Sequence, residues 1–203
     1  FNCTNITTLT YSPFGNLQWT QEYRGDQQPR NIGVAVVTNG DGNVVVVGGS
    51  GTEQQMDLLT LKYKPNGVQR LAVQATGAGR SFESVVAMTT DGAGNVYVLG
   101  SSVSMGLYSD FVTVKFDPNG NQVWAARYNG PSNRYDDPNA IAVDAEGNVY
   151  VTGCSGYELA YTTVKYDAQG QQVLTRFYHG NFDRIRPPHL GLDRFGNVYV
   201  GGL

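Results

Sequence analysis

Short β-branched and aromatic runs alternate with glycine-bearing turns along the whole chain. Val44-Val45-Val46-Val47, Val96-Tyr97-Val98-Leu99 and Val149-Tyr150-Val151 are runs of this kind. Such runs, bounded by turn residues, read as strands. No segment sustains a 3.6-residue apolar period, so essentially no helix is expected.

The runs repeat. Gly-Asn-Val recurs at Gly42, Gly94, Gly147 and Gly196, with spacings of 52, 53 and 49. A small or apolar strand precedes each copy, and a Val-Tyr-Val-like strand ending in glycine follows it. A second half-repeat alternates with the first. Its clearest copy runs from Asp110 through Asp117-Pro118-Asn119-Gly120 to Tyr128. The others span Asp57 to Ala75, Tyr161 to Tyr178 and Asn5 to Tyr23. Ten residues past the turn glycines Gly15, Gly67, Gly120 and Gly170 stand Gly25, Gly77, Gly130 and Gly180. Each half-repeat is a hairpin. Asp caps the turn, Pro presets φ in the Asp-Pro-Asn-Gly copy, and Gly takes the left-handed position.

Paired hairpins give four units of four antiparallel strands. Stacking such sheets around an axis buries both faces of each, so the expected fold is all-β, a four-bladed β-propeller. A flat sandwich is the structural alternative. One domain spans 1–203, with blades at about 32–75, 84–128, 139–178, and 188–203 plus 6–23. The last blade is split. The N- and C-terminal hairpins are expected to join and close the ring, which would remove open strand edges.

Residues 113–124, 127–131 and 140–153 look like the SBBP family of bacterial β-propeller repeats. The Gly-Asn-Val-Tyr-Val strands also resemble NHL repeats. The resemblance implies a propeller, usually secreted or on the cell surface. It implies no single activity.

Composition narrows the partners. Charged residues are 15% of the chain and aromatics 11%, which excludes a disordered polymer. A net charge of −3 argues against a nucleic-acid binder. No apolar run approaches the roughly 18 residues of a membrane helix. The chain begins at Phe1, and we expect a processed form or an excised fragment. Asn2 and Asn5 head glycosylation sequons, but a chain this rich in asparagine carries such triplets by chance.

Candidate chemistry is sparse. The loops between blades each carry an arginine: Arg30, Arg80, Arg134 and Arg184. Together they are a candidate anion- or glycan-binding ring, against four solvated or blade-bridging side chains. His179 and His189 are the two histidines, and His189 is the candidate general base of a lyase-like site. Without a nucleophile elbow or metal spacing, no catalytic residue, metal or cofactor is assigned. Asp136-Asp137 reads as a turn before a cation or sugar site, and Asn39 to Asn43 as a turn before a calcium loop. Arg24-Gly25-Asp26 has the form of an adhesion tripeptide, but the repeat already requires Gly25. Trp19, Trp124, Tyr97, Tyr150 and Tyr199 read as packing before a sugar platform.

Cys3 and Cys154 fall in mid-blade connections of adjacent blades, and a disulfide between them is expected. It would contribute roughly 3–5 kcal/mol through chain entropy. The functional expectation is an extracellular, non-enzymatic scaffold or interaction module. The alternatives are a self-assembling homopolymer and a propeller that binds a glycan or small anion on its loop face.

Overall fold

The structure is a computed structural model, and it describes residues 5–25, 30–51, 56–75, 84–104, 108–156, 160–180 and 188–202. These residues form sixteen strands and no helix. Strands β1 (Ile6–Tyr11) and β2 (Leu17–Tyr23) make an N-terminal hairpin. The first four-stranded sheet holds β3 (Arg30–Thr38), β4 (Val44–Gly51), β5 (Met56–Tyr63) and β6 (Gln69–Ala75). The second holds β7 (Ser84–Thr90), β8 (Val96–Ser104), β9 (Tyr108–Phe116) and β10 (Gln122–Tyr128). The third holds β11 (Asp136–Val143), β12 (Val149–Ser155), β13 (Ala160–Tyr166) and β14 (Gln172–Tyr178). Strands β15 (His189–Leu192) and β16 (Val198–Gly201) make a C-terminal hairpin. Every pairing is antiparallel between strands adjacent in sequence. No helix among the described residues is long and apolar enough to cross a membrane.

The sheets stack because each has two apolar faces. In β4, Val45 and Val47 face the second sheet, and Val44 and Val46 face the N-terminal hairpin. Val96, Val98, Val114 and Phe116 complete the first interface. Tyr97, Leu99, Phe111 and Tyr128 meet Val149, Val151, Val164 and Tyr166 at the next. Each fully buried side chain of this size stabilises the stack by roughly 1.5–3 kcal/mol.

Tryptophans tie units together. Trp19 Nε1 donates to the Pro65 carbonyl at 2.8 Å, and Trp124 Nε1 to the Ala168 carbonyl at 3.1 Å. Their rings lie on the turn glycines Gly67 and Gly170, where a Cβ would meet ring atoms at 2.7 and 2.6 Å. Trp124 also packs between Tyr97 and Tyr166. These aromatics are packing residues, as the repeat suggested.

The turns are aspartate knots. Asp91 Oδ1 accepts the Ala93 and Asn95 amides at 3.0 and 2.9 Å. Its Oδ2 accepts Asn95 Nδ2 at 2.7 Å and the Tyr97 hydroxyl at 2.9 Å. Asp144 and Asp193 repeat the pattern with Asn148-Tyr150 and Asn197-Tyr199. Asn39 fills the aspartate's place in the first sheet and accepts from Asp41 and Asn43, so this segment is a turn.

The Asn197 side-chain bond, with further backbone and tyrosine donors, holds the Asp193 carboxyl down at about 2. At Asp91, Asp117 and Asp144 burial opposes the shift, but bonds led by Asn95, Asn121 and Asn148 outweigh it. Folded values below the unfolded value mean stability that is complete above about pH 4 and lost as pH falls through the folded values. Urea unfolding is expected to show flat stability from about pH 7 to 5 and a decline from about pH 4 toward 2. Asp91→Asn with Asp144→Asn should flatten that decline, and an unchanged slope would refute the assignment.

The expected closure of the last blade is corrected. Among the described residues no ladder joins β16 to β1, and the two hairpins are separate two-stranded sheets. Each keeps to its neighbour in sequence. Ile6 is buried in the first sheet's core, whereas Asn139 Nδ2 of β11 bonds the Pro188 carbonyl at 2.7 Å. The expected Cys3–Cys154 bridge is not seen among the described residues. Cys154 is a free, buried thiol. Burial, with Asp137 nearby, pushes it up to about 11. Cys154 lies on the third sheet, while the N-terminal hairpin docks on the first, at the other end of the stack. Cys3 itself lies outside the described residues.

Candidate functional site

The polar residues with unusual surroundings gather where the second and third sheets meet, at the start of β11. Asp136 is wholly buried there. Its Oδ2 accepts the Gly130 amide at 2.6 Å, and its Oδ1 accepts the Ser155 hydroxyl. Gly130 has no left-handed φ to accommodate. It is glycine because a Cβ would overlap Ser155 Oγ and lie 2.7 Å from Asp136 Oδ1. Burial, reinforced by the neighbouring Asp110 and Asp137, raises the Asp136 carboxyl despite those two bonds. Asp137 accepts from Ser109 at 3.0 Å.

A half-buried ion pair stands beside it. Arg127 Nε donates to Asp110 Oδ2. Asp110 pairs with Ser102 across the second sheet, and Arg127 with Val112. The same ladder positions in the third sheet, opposite Ser155 and Thr162, hold Ala160 and Phe177. Two apolar residues replace the ion pair. They line a cavity of about 340 Å³ with Pro131, Ser132, Ser155 and His179. His179 stacks on Phe177 with ring centroids 6.4 Å apart. The cavity is an apolar bowl with a few hydroxyls and one imidazole, suited to holding a small or ring-shaped ligand.

The arginine ring is only partly visible. Arg30 is exposed at the head of β3. Arg134 lies over the Tyr108 ring at 5.1 Å and donates to its hydroxyl at 2.6 Å, while Tyr108 meets Tyr135 edge-on. It is a loop clasp between the second and third sheets. Arg80 and Arg184 lie outside the described residues. His189 is exposed on β15. Arg24 pairs with Glu22 at 2.8 Å, and Asp26 lies outside the described residues. Asn5 Nδ2 donates to Glu22 at 2.6 Å, and Asn2 also lies outside them.

Residues 123–155 match the family model for SBBP, described as a β-propeller repeat. This stretch is similar to an SBBP repeat. That repeat starts in β10 and ends with β12, so it contains Trp124, Gly130, Asp136, Gly153 and Ser155. No curated protein sequence matches this chain. Among solved structures, a eukaryotic initiation factor aligns with a TM-score of 0.51 at 8% identity, over 86% of this chain and 43% of its own. A protein inferred to be a gluconolactonase aligns with a TM-score of 0.47 at 13% identity, over 96% of this chain and 63% of its own. The chain thus spans less than two thirds of either. The first likeness speaks to fold alone.

Within the SBBP repeat, the serine and the acid were separable from ordinary loop residues by one signal. Ser50, Ser102 and Ser155 stand two residues after the glycines Gly48, Gly100 and Gly153. Asn31 opposes Ser50 across the ladder just as Asp136 opposes Ser155.

Proposed function

We propose that this chain is a non-enzymatic β-propeller scaffold that works outside the cell or on its surface and presents its stacked units to other macromolecules. Its described residues form three complete four-stranded sheets flanked by two hairpins. The observation that carries the reading is the pair Asp136–Ser155. An acid bonded to a serine resembles part of a catalytic dyad. The same ladder position in the first sheet holds Asn31 and Ser50, and an amide cannot act as a base. The pair belongs to the repeat's framework, fastening the loop at Gly130 onto the sheet. The other conspicuous charges, at Asp91, Asp144 and Asp193, are consumed by turns.

The test is Asp136→Asn, which copies the first sheet. Its thermal midpoint at pH 7 should stay within a few degrees of the parent, because the amide oxygen still accepts from Gly130. Asp136→Leu should cost about 1–3 kcal/mol by leaving that amide unsatisfied. In a panel of esters, lactones and polysaccharides, no turnover should depend on Asp136, Ser155, His179 or His189. Turnover abolished by Ser155→Ala or His189→Ala, with the fold intact, would overturn the reading.

The cavity favours a second reading, a binder of a glycan or small polar ligand. Phe177 and His179 would stack on a ring, and Ser132 and Ser155 would bond its hydroxyls. Binding in a glycan screen that is lost in Phe177→Ala would support it.

A further inference from the structure

The cavity lined by Ser132 and Phe177 meets the repeat's framework at Ser155, and the framework fixes what that residue can offer. The Ser155 hydroxyl donates to Asp136 Oδ1, and the Gly130 amide holds Oδ2 at 2.6 Å. An ionised carboxylate accepts only, so the serine proton stays on that bond. The serine oxygen keeps two lone pairs. The Tyr128 hydroxyl stands near Ser155 and can take one of them, which leaves the other for the cavity. Toward a ligand Ser155 is therefore an acceptor. The group it meets must be an O–H or N–H donor.

Charge narrows the choice of donor. Asp136 is wholly buried behind Ser155, and Asp110 and Asp137 stand near it. Arg127 is committed to Asp110, and Arg134 to Tyr108. None of the described residues lining the cavity is a lysine or an arginine. A carboxylate or phosphate entering here would bring acceptors to an acceptor. It would also bring negative charge toward Asp136 in surroundings that screen weakly. An ammonium would leave water for walls of Pro131, Ala160 and Phe177, with no acid lining the cavity to pair it.

The walls suit one ring. At about 340 Å³ the cavity is at the small end of ligand sites, which run from roughly 300 to 1,000 Å³. Phe177 and His179, whose rings lie within 27° of parallel, both line it. The rim that carries Ser132 is fixed on two sides. The Asn133 amide donates to the Gly130 carbonyl at 2.9 Å, and the Gly156 amide to the Tyr135 carbonyl at 3.0 Å. Gly156 has a φ of +76°, and a Cβ there would stand 3.0 Å from Ser132 Oγ. The site is thus preformed, which keeps the ordering cost of binding small. A neutral sugar ring answers all of this, with an apolar C–H face for the aromatic rings and an edge of hydroxyl donors.

We infer that this cavity takes a neutral pyranose ring of a glycan, held by a sugar hydroxyl that donates to Ser155, and that it rejects uronates. This rests on the second reading above, that the cavity binds a glycan, and adds which glycans it binds. Asp136 is a positioning residue that acts through Ser155. The first sheet carries the opposite setting, with Asn31 facing Ser50 across the ladder. An amide can donate, and a serine that receives its N–H keeps its own proton for a ligand.

The experiment titrates the full chain at about pH 7.5 and reads the amide signals of Ser155 and Gly156 by NMR. The probes are the methyl glycosides of glucose, galactose and mannose, their uronic acid counterparts, and methyl glucosaminide. The parent should bind at least one neutral glycoside about tenfold or more tightly than its uronate, and Phe177→Ala should lose that binding. In Asp136→Asn the amide oxygen still accepts from Gly130 while Nδ2 donates to Ser155. The uronate should then gain about tenfold on the neutral sugar, whereas a purely structural Asp136 would weaken both alike. A parent that binds the uronate or the glucosaminide as tightly as the neutral sugar overturns the inference and leaves the glycan reading standing. An Asp136→Asn variant that keeps the parent's ratio does the same. If no probe shifts these signals, or if Phe177→Ala binds like the parent, the glycan reading falls as well.

Discussion

Replacing Gly153 by alanine is expected to be among the most damaging single-methyl changes at the described residues. A Cβ there would overlap the Asp137 carbonyl oxygen and lie 2.8 Å from Pro138 Cα and 2.7 Å from Phe111 Cζ. Two of these neighbours are backbone of β11 and cannot move without breaking the β11–β12 ladder. The third is a buried ring in the interface with the second sheet. The strain thus reaches two sheets, and the cost should exceed about 3 kcal/mol, or roughly 10 °C in thermal midpoint. Gly202→Ala is the control. The atoms a Cβ would meet there belong to the hydroxyl end of Tyr161, which can swing aside. Its loss should stay below about 1 kcal/mol. Circular dichroism melts of both variants decide the matter. Equal losses would mean that the close approach at Gly153 is relieved by ordinary relaxation.

That asymmetry separates what was legible in the sequence from what was not. Local chemistry was legible. Asp-x-x-Gly-Asn-Val-Tyr announces its turn because every bond of the knot lies within six residues, from Asp144 to Tyr150. The strands, the three four-stranded sheets and the packing role of Trp124 follow from the same periodicity. Contacts between distant residues were not legible. Ser155 and Asp136 are 19 residues apart and meet only once β11 and β12 are in register. Gly130 reads as a recurring glycine of the repeat, and its reason is the Ser155 hydroxyl and Asp136 carboxylate pressed against it. The ring closure was not legible either, because the repeat alone does not say whether the two terminal hairpins meet. The cavity left a trace that a comparison of units would have found. Asp110 and Arg127 become Ala160 and Phe177 in the third sheet, and a repeat that trades an ion pair for apolar residues has changed its local surface.

The same exchange predicts how the ion pair behaves when it is broken. Asp110 is buried, and Asp136 and Asp137 stand near it, so Arg127 neutralises an acidic pocket. Arg127→Ala should therefore cost about 3–5 kcal/mol, because it leaves Asp110 buried without its cation. The double variant Asp110→Ala/Arg127→Phe reproduces the third sheet's solution at the equivalent positions. It removes the charge together with its partner and returns apolar volume to the interface. It should recover to within about 1 kcal/mol of the parent, since well-packed apolar residues often match a buried ion pair. The double-mutant cycle would be read from urea midpoints at pH 7. A double variant as unstable as Arg127→Ala would show that the second sheet depends on the ion pair's geometry rather than on charge balance.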